Sequence, residues 1–293
     1  MLNPADDDTE ATSRTFVSQG LALHYLDWGN EGAPLLILVH GTSDHARSWD
    51  WTARALKDRF HVIALDLRGH GDSQWSPDGA YLLAYHVLDL IELIDTLGED
   101  RVTIIGHSFG GSVASRYAGL YPDRIRKLVL VDGFGPSPES YATWAEYGAV
   151  RRTREWIDKR RNVKRKTVRR LGSIEDAAAR ISSGNPRLSA AQARHLAAHG
   201  VRLHPDGYGW KVDPRVSQFT SEDFAVEITT FWREITAPTL LCRGSESWTH
   251  DPEANGQAAH LRDRRAVAIQ EAGHWPHHDQ FEVFLGVLKD YAL

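Results

Sequence analysis

Ile104-Ile105-Gly106-His107-Ser108-Phe109-Gly110-Gly111 decides how this chain is read. An apolar run beginning near Val102 predicts a short buried strand, and a helical pattern starts about Gly110. Between them Gly106-His107-Ser108-Phe109-Gly110 spells G-x-S-x-G. Glycines two places either side of the serine leave room for a sharp strand-to-helix turn. Such a turn lifts the serine Oγ clear of the sheet in a strained backbone conformation. The backbone N–H of Phe109 then lies at a helix N-terminus, where a negative oxygen is favoured. A glycine-rich turn around an idle serine has the same spelling, so the flanking chain must choose.

Outward from that stretch, strand and helix signals alternate. Arg14–Ser18 and Leu21–Trp28 read as strands joined at Gln19-Gly20. Leu35–Val39 and His61–Leu65 are continuous apolar runs of strand length, as expected for strands covered on both faces. A short helix is expected after Trp49. From Tyr81 to Leu97, apolar residues at 81, 85, 88, 91, 94 and 97 keep helical spacing. Strands at Leu128–Val131, Thr239–Arg243 and Ala266–Ile269, a helix near Glu253–Leu261 and an amphipathic helix from Gln280 complete the pattern. The expected fold is α/β, a mostly parallel eight-stranded twisted sheet flanked by helices. Residues 1–13 are expected to be disordered, and 14–133 with 237–293 to form the core. Residues 134–236 lack a buried-strand run and read as a helical insertion over one edge of the sheet.

Composition limits the partners. The chain has 293 residues, 42% hydrophobic and 25% charged, with net charge −5. That balance fits an ordinary globular protein and gives no reason to expect nucleic acid or an anionic membrane as main partner. No apolar stretch approaches the roughly 20 residues of a membrane span, and no signal-peptide core precedes the acidic segment Asp6–Glu10. A cytoplasmic protein, monomer or homodimer, is expected. The single cysteine, Cys242, sits in an apolar run and reads as a buried structural thiol. Eleven Lys or Arg fall between Arg151 and Arg170, either a solvated helix face or a lure for an anionic substrate such as an acyl-CoA.

A serine hydroxyl needs a positioned base, and the base needs an orienting partner. Among 15 histidines, His274 stands out in Gln270-Glu271-Ala272-Gly273-His274-Trp275, a loop after the last strand. It thus falls at the same sheet edge as Ser108, where catalytic groups of parallel sheets gather. His277 and His278 read as ordinary surface-loop histidines.

Taken together, these segments resemble an α/β-hydrolase. The motifs are His40-Gly41 after the third strand, Asp66-Leu67-Arg68-Gly69-His70-Gly71-Asp72-Ser73 after the fourth, the elbow after the fifth and Gly273-His274 after the last. The resemblance covers about Leu21–Gly133 and Ala237–Leu293. It implies an oxyanion hole from the backbone N–H groups of Thr42 and Phe109, and a lid at 134–236. More weakly, Val131-Asp132-Gly133-Phe134-Gly135-Pro136 and Gly207-Tyr208-Gly209-Trp210 resemble the serine hydrolase-like proteins. The Asp66–Ser73 stretch matches a structural loop of the family, so no metal is expected there.

The acid departs from the commonest family pattern. An aspartate usually follows the seventh strand three residues after a glycine; here the glycine is Gly244 and the third position is Ser247. Three carboxylates remain open, with Asp132 the expected acid and Glu246 the alternative. Asp132 ends the sixth strand 24 residues beyond Ser108, a placing found among the resembling haloalkane dehalogenases, although an aspartate there can instead hold the Gly133 turn. Glu246 lies one residue short of the usual slot, and Asp251 farther along the loop. The related epoxide hydrolases and dehalogenases attack carbon with an aspartate at the elbow, so Ser108 points away from both reactions.

A serine with two backbone donors suits attack on a carbonyl. The expected activity is therefore ester or similar acyl hydrolysis without a cofactor. C–C bond hydrolysis with the same triad, and a weakly catalytic ligand-binding role, are the alternatives. The expected pocket comprises His40, Gly41, His107, Trp49, Trp248 and Trp275. The lid tryptophans Trp144, Trp156, Trp210 and Trp232 either line an apolar acyl pocket or pack lid against core.

Overall fold

The computed structural model describes residues 11–163, 170–217, 219–220, 223, 225–291 and 293. Its strands are β1 Thr12–Ser18, β2 Leu21–Asp27, β3 Leu35–Val39, β4 His61–Leu65, β5 Val102–His107, β6 Ile125–Val131, β7 Val201–His204, β8 Gly207–Trp210, β9 Thr239–Gly244 and β10 Arg264–Ile269. Eight form one sheet in the order β1-β2-β4-β3-β5-β6-β9-β10, antiparallel at β1–β2 and β2–β4 and parallel elsewhere. The expected sheet is present. Thr12 and Ser13, placed in a disordered tail by the sequence, instead pair with Asp27 and Leu26. The rest of that expectation, residues 1–10, lies outside the described residues.

Alternation along each buried strand supplies two cores. Leu35, Ile37 and Val39 of β3 face one apolar cluster, and Leu36 and Leu38 face the other. Against the first cluster pack α2 Leu83–Leu97 and α3 Phe109–Leu120; against the second pack α1 Asp50–Leu56 and the C-terminal helix Phe281–Asp290. The buried stripe of α2 is Leu83, Val87, Leu90 and Ile94, rotated from the expected one. Leu88, Ile91 and Leu97 lie half-buried at its flank. Both stripes are apolar, and contact with the sheet and α3 selects between them. Cys242 is free and buried as expected, and burial pushes its thiol pKa up.

Between β6 and β9 lie α4 Pro138–Tyr147, α5 Ala149–Val163, α6 Ile174–Gly184, α7 Ala190–Gly200, the hairpin β7–β8 and α8 Ile228–Trp232. Capping boxes start α6 (Ser173 with Asp176) and α7 (Ser189 with Gln192), satisfying donors that a helix start leaves orphaned. The hairpin is the departure from an all-helical insertion. It reaches the core beside a bridge between His70 and Val212, and Asp213 accepts a 2.7 Å bond from the Tyr81 hydroxyl. No residue of α5 is buried, and Arg160 donates to the Asp78 carbonyl at 2.8 Å; residues 164–169 of the basic run lie outside the described residues. The expected helix near Glu253–Leu261 is only a 3₁₀ turn, Gln257–His260. Gly256 precedes it at φ +80°, which no right-handed helix passes through. Two short C-terminal helices follow β10: α9 Pro276–Asp279 and α10 Phe281–Asp290.

Candidate active site

Ser108 stands between β5 and α3 at φ 50°, ψ −117°. Such strain in a non-glycine residue persists only where the surroundings enforce it. Here they do so by close packing. A Cβ on Gly110 would lie 2.4 Å from the Val39 carbonyl oxygen, and one on Gly106 2.6 Å from that of Gly110. Glycine is therefore required at both positions, and the turn is held against the end of β3. Phe109 is the first residue of α3, so its N–H is one of the donors a helix start leaves without an intrahelical acceptor. Gly41 also abuts the turn: a Cβ on it would come within 3.1 Å of the Ser108 Cβ, which brings the segment bearing Thr42 alongside.

His274 comes from the loop between β10 and α9. Its Nε2 accepts from Ser108 Oγ at 2.9 Å, and its Nδ1–H donates to Asp132 Oδ2 at 2.6 Å. The loop is tied down twice: His107 Nε2–H donates to the His274 carbonyl at 2.7 Å, and Gly273 N–H to Asp279 Oδ2 at 2.8 Å. Asp132, at φ 48°, holds its carboxylate fully buried at the end of β6. Aspartate is among the few residues that tolerate such a φ. Its Oδ1 accepts from Gly244 N–H at 3.3 Å, and Oδ2 also accepts from the Ser247 hydroxyl. Of the three carboxylates left open by the sequence, Asp132 is the one against His274. Glu246 is half exposed and pairs with Arg187 instead. Asp251 accepts from the N–H groups of Glu253 and Ala254, which holds a local turn.

The other expected pocket residues separate. Trp248, exposed and with its ring 4.5 Å from that of His274, lines a cavity of about 430 Å³ with Ser108, Phe109, Phe134, Trp144 and His250. Thr42 and Trp275 line a neighbouring cavity of about 510 Å³ under α6, α7 and Trp210. Trp49 is a correction: it is fully buried below the sheet, stacked on His277 at 4.6 Å, because the helical turn entering α1 aims it into the core. His40, Gly41 and His107 line neither cavity. His40 spans Leu67 N–H and the Gly41 carbonyl, and burial lowers its pKa to about 3. Burial likewise holds His107 well below the usual range. His277 and His278 are buried, not surface residues, because α9 folds them under the loop. Of the lid tryptophans, Trp232 is core and Trp156 lines a separate pocket with Arg160 and Tyr81.

Two residues singled out in the sequence make contacts it did not reveal. His107, expected in the pocket, instead clamps the His274 loop. Ser247, at the third position after Gly244, donates to the Asp132 carboxylate.

The family model for the alpha/beta hydrolase fold matches residues 34–281. The chain belongs to that family. The chain is similar to mouse Epoxide hydrolase 4, 37% identical over 119 residues, 40% of this chain and 33% of that one. It is also similar to the zebrafish Serine hydrolase-like protein, 30% identical over 192 residues, 65% of this chain and 58% of that one. These alpha/beta hydrolase relatives are thus matched over one third to under three fifths of their lengths. Among solved structures, the thioesterase domain from the curacin biosynthetic pathway superposes with a TM-score of 0.83 at 21% identity, covering 94% of this chain and 98% of that one. That likeness concerns the fold. No helix among the described residues is long and apolar enough to cross a membrane.

Proposed function

We propose that this alpha/beta hydrolase cleaves a carboxylic ester or similar acyl bond through an acyl-enzyme on Ser108. The observation that carries the reading is the unbroken series from Ser108 Oγ through His274 to Asp132, at 2.9 and 2.6 Å. In this reading His274 takes the Ser108 proton as Oγ bonds to the carbonyl carbon. The carbonyl electron pair moves onto oxygen, which the N–H groups of Phe109 and Thr42 receive. Asp132 stabilises the imidazolium and fixes its tautomer. Collapse of the tetrahedral adduct expels the alcohol, which leaves with the proton from His274. A water deprotonated by the same histidine then attacks the acyl-enzyme, releasing carboxylic acid and free Ser108.

Phe134, Trp144 and Trp248 around the 430 Å³ cavity favour an apolar acyl group on a small-molecule substrate, and residues 134–236 serve as the lid. A serine at 247, where the family commonly carries its acid, would favour a weakly catalytic, receptor-like role. That support weakens, because the Ser247 hydroxyl donates to the carboxylate that meets His274. Hydrolysis of p-nitrophenyl esters of graded acyl length tests the reading. Turnover should vanish in Ser108→Ala, and a fluorophosphonate should label the wild type but not the variant. Neither hydrolysis nor labelling of the wild type would refute it.

A further inference from the structure

Helix α7 carries His195 and His199 four residues apart, hence on one helical face. Opposite them lies Asp50, the first residue of α1. One donor atom from each of the three lies within 4.8 Å of the others. Asp50 is 2% exposed, yet its Oδ1 has no hydrogen-bond partner, and its Oδ2 meets His195 Nε2 at 3.1 Å. A buried carboxylate oxygen without a donor is costly. The Arg47 guanidinium approaches Oδ2 at 3.4 Å, and the Arg47 carbonyl oxygen lies 3.4 Å from His195 Nε2. Neither contact reaches Oδ1.

We propose that Asp50, His195 and His199 bind one divalent transition-metal ion of the zinc class. Two imidazoles and a carboxylate form a donor set that zinc and neighbouring first-row divalent metals take, whereas magnesium and calcium call for oxygen ligands. In a tetrahedral zinc site with bonds of about 2.0–2.1 Å, donors stand about 3.3 Å apart, so the three side chains need to close by about 1.5 Å at most. A water takes the fourth position. Binding requires His195 Nε2 to be free of a proton and gives both carboxylate oxygens a use. Arg47 retains its exit to solvent, its side chain being 18% exposed. The ion would fasten α7, part of the inserted segment, to α1 of the core. Leu196 and Gly200 of α7 line the 510 Å³ cavity, so the same ion would fix one wall of it.

A second cluster, His24, Asp66 and Asp72, has similar spacing and serves as a control. Its carboxylates already accept from His24, the N–H groups of Ala46 and Asp72, Arg202 and Lys211. The experiment is titration of the metal-free full chain with zinc chloride in a calorimeter near neutral pH, together with cobalt(II) absorption and thermal denaturation. The expected result is one equivalent bound at micromolar or tighter affinity, a ligand-field band typical of tetrahedral cobalt, and a raised Tm. His199→Gln and the double variant His195→Gln/His199→Gln should weaken binding at least about 100-fold, while Asp72→Asn should leave it unchanged. Each variant's circular dichroism separates lost binding from lost folding. His199→Gln, on a half-exposed position, provides the test if the double variant does not fold. Absence of saturable binding, binding unaffected by His199→Gln, or binding lost in Asp72→Asn would overturn the assignment.

Discussion

Replacing Asp132 by asparagine isolates the group on which the proposed mechanism most depends. Asparagine keeps the size of the side chain and can still accept from Gly244 N–H or Ser247, but it cannot receive the His274 Nδ1–H as a carboxylate does. With its NH₂ turned toward Nδ1 it favours the opposite tautomer, in which Nε2 carries the proton and cannot take one from Ser108. In the best-studied serine triad the equivalent loss costs about 10⁴ in kcat. The 2.6 Å bond and full burial of the carboxylate place Asp132 in the same range, about 10³ to 10⁴, or about 4–5.5 kcal/mol of barrier. KM should change little, since the Asp132 carboxylate is fully buried and bonded to His274. Ser247 makes a second, constructive test possible. Its hydroxyl reaches the very oxygen that His274 uses, so an aspartate at 247 can present a carboxylate to Nδ1. Asp132→Asn/Ser247→Asp should therefore recover at least about tenfold over Asp132→Asn alone, a gain of about 1.4 kcal/mol. Glu246→Gln should leave the rate unchanged. The assay is steady-state ester hydrolysis, with Tm measured for each variant. An Asp132→Asn enzyme near wild-type kcat, or a crippled Glu246→Gln, would refute the assignment of the acid.

Two further outcomes follow from packing and burial. Gly110→Ala should lower kcat at least about 100-fold, because its methyl cannot coexist with the Val39 oxygen 2.4 Å away and the turn must shift; unchanged kinetics would mean the turn tolerates displacement. His277, buried without a hydrogen-bond partner on either nitrogen, has its pKa held well below the ordinary value, first by burial and then by neighbouring histidines. The unfolded chain then binds a proton that the native state refuses, so its stabilising effect is whole above about pH 6.5 and declines as pH falls. His277→Phe keeps the stack on Trp49 and should flatten the fall in unfolding free energy between about pH 6 and 5 by up to about 1.4 kcal/mol per pH unit. Parallel stability curves for the two proteins in denaturant titrations would count against this.

The inner strands β3, β4, β5, β6 and β9 were legible because each carries a continuous apolar run, a pattern set by burial on both faces. Strands β1 and β2 were legible from the turn that joins them. The β7–β8 hairpin was not, since Val201–His204 and Gly207–Trp210 are short, mostly solvent-touching and carry no such run. The tryptophans illustrate a second limit. Trp49 and Trp248 both flank motif loops in sequence, yet one faces the core and the other solvent, and only the direction of the backbone at each separates them. Ser108 and His274 were readable from the edge of the sheet that carries them. Which carboxylate meets His274 depends on side-chain direction across three segments, and spacing does not encode that.

Ser108 and Asp132 each directly follow a strand residue, His107 and Val131, that pair with one another on β5 and β6. A rung of the ladder therefore sets the separation of Ser108 and Asp132, and neither can drift without tearing the middle of the sheet. His274, the proposed base, is the one adjustable member, carried on a loop beyond the edge strand β10 and moored by His107 and Asp279. Loosening of that edge by heat or denaturant would uncouple the base while the other two stay in register. Under the proposed mechanism, activity would then fall by a local, reversible slackening before the chain melts, making inactivation and unfolding separate events.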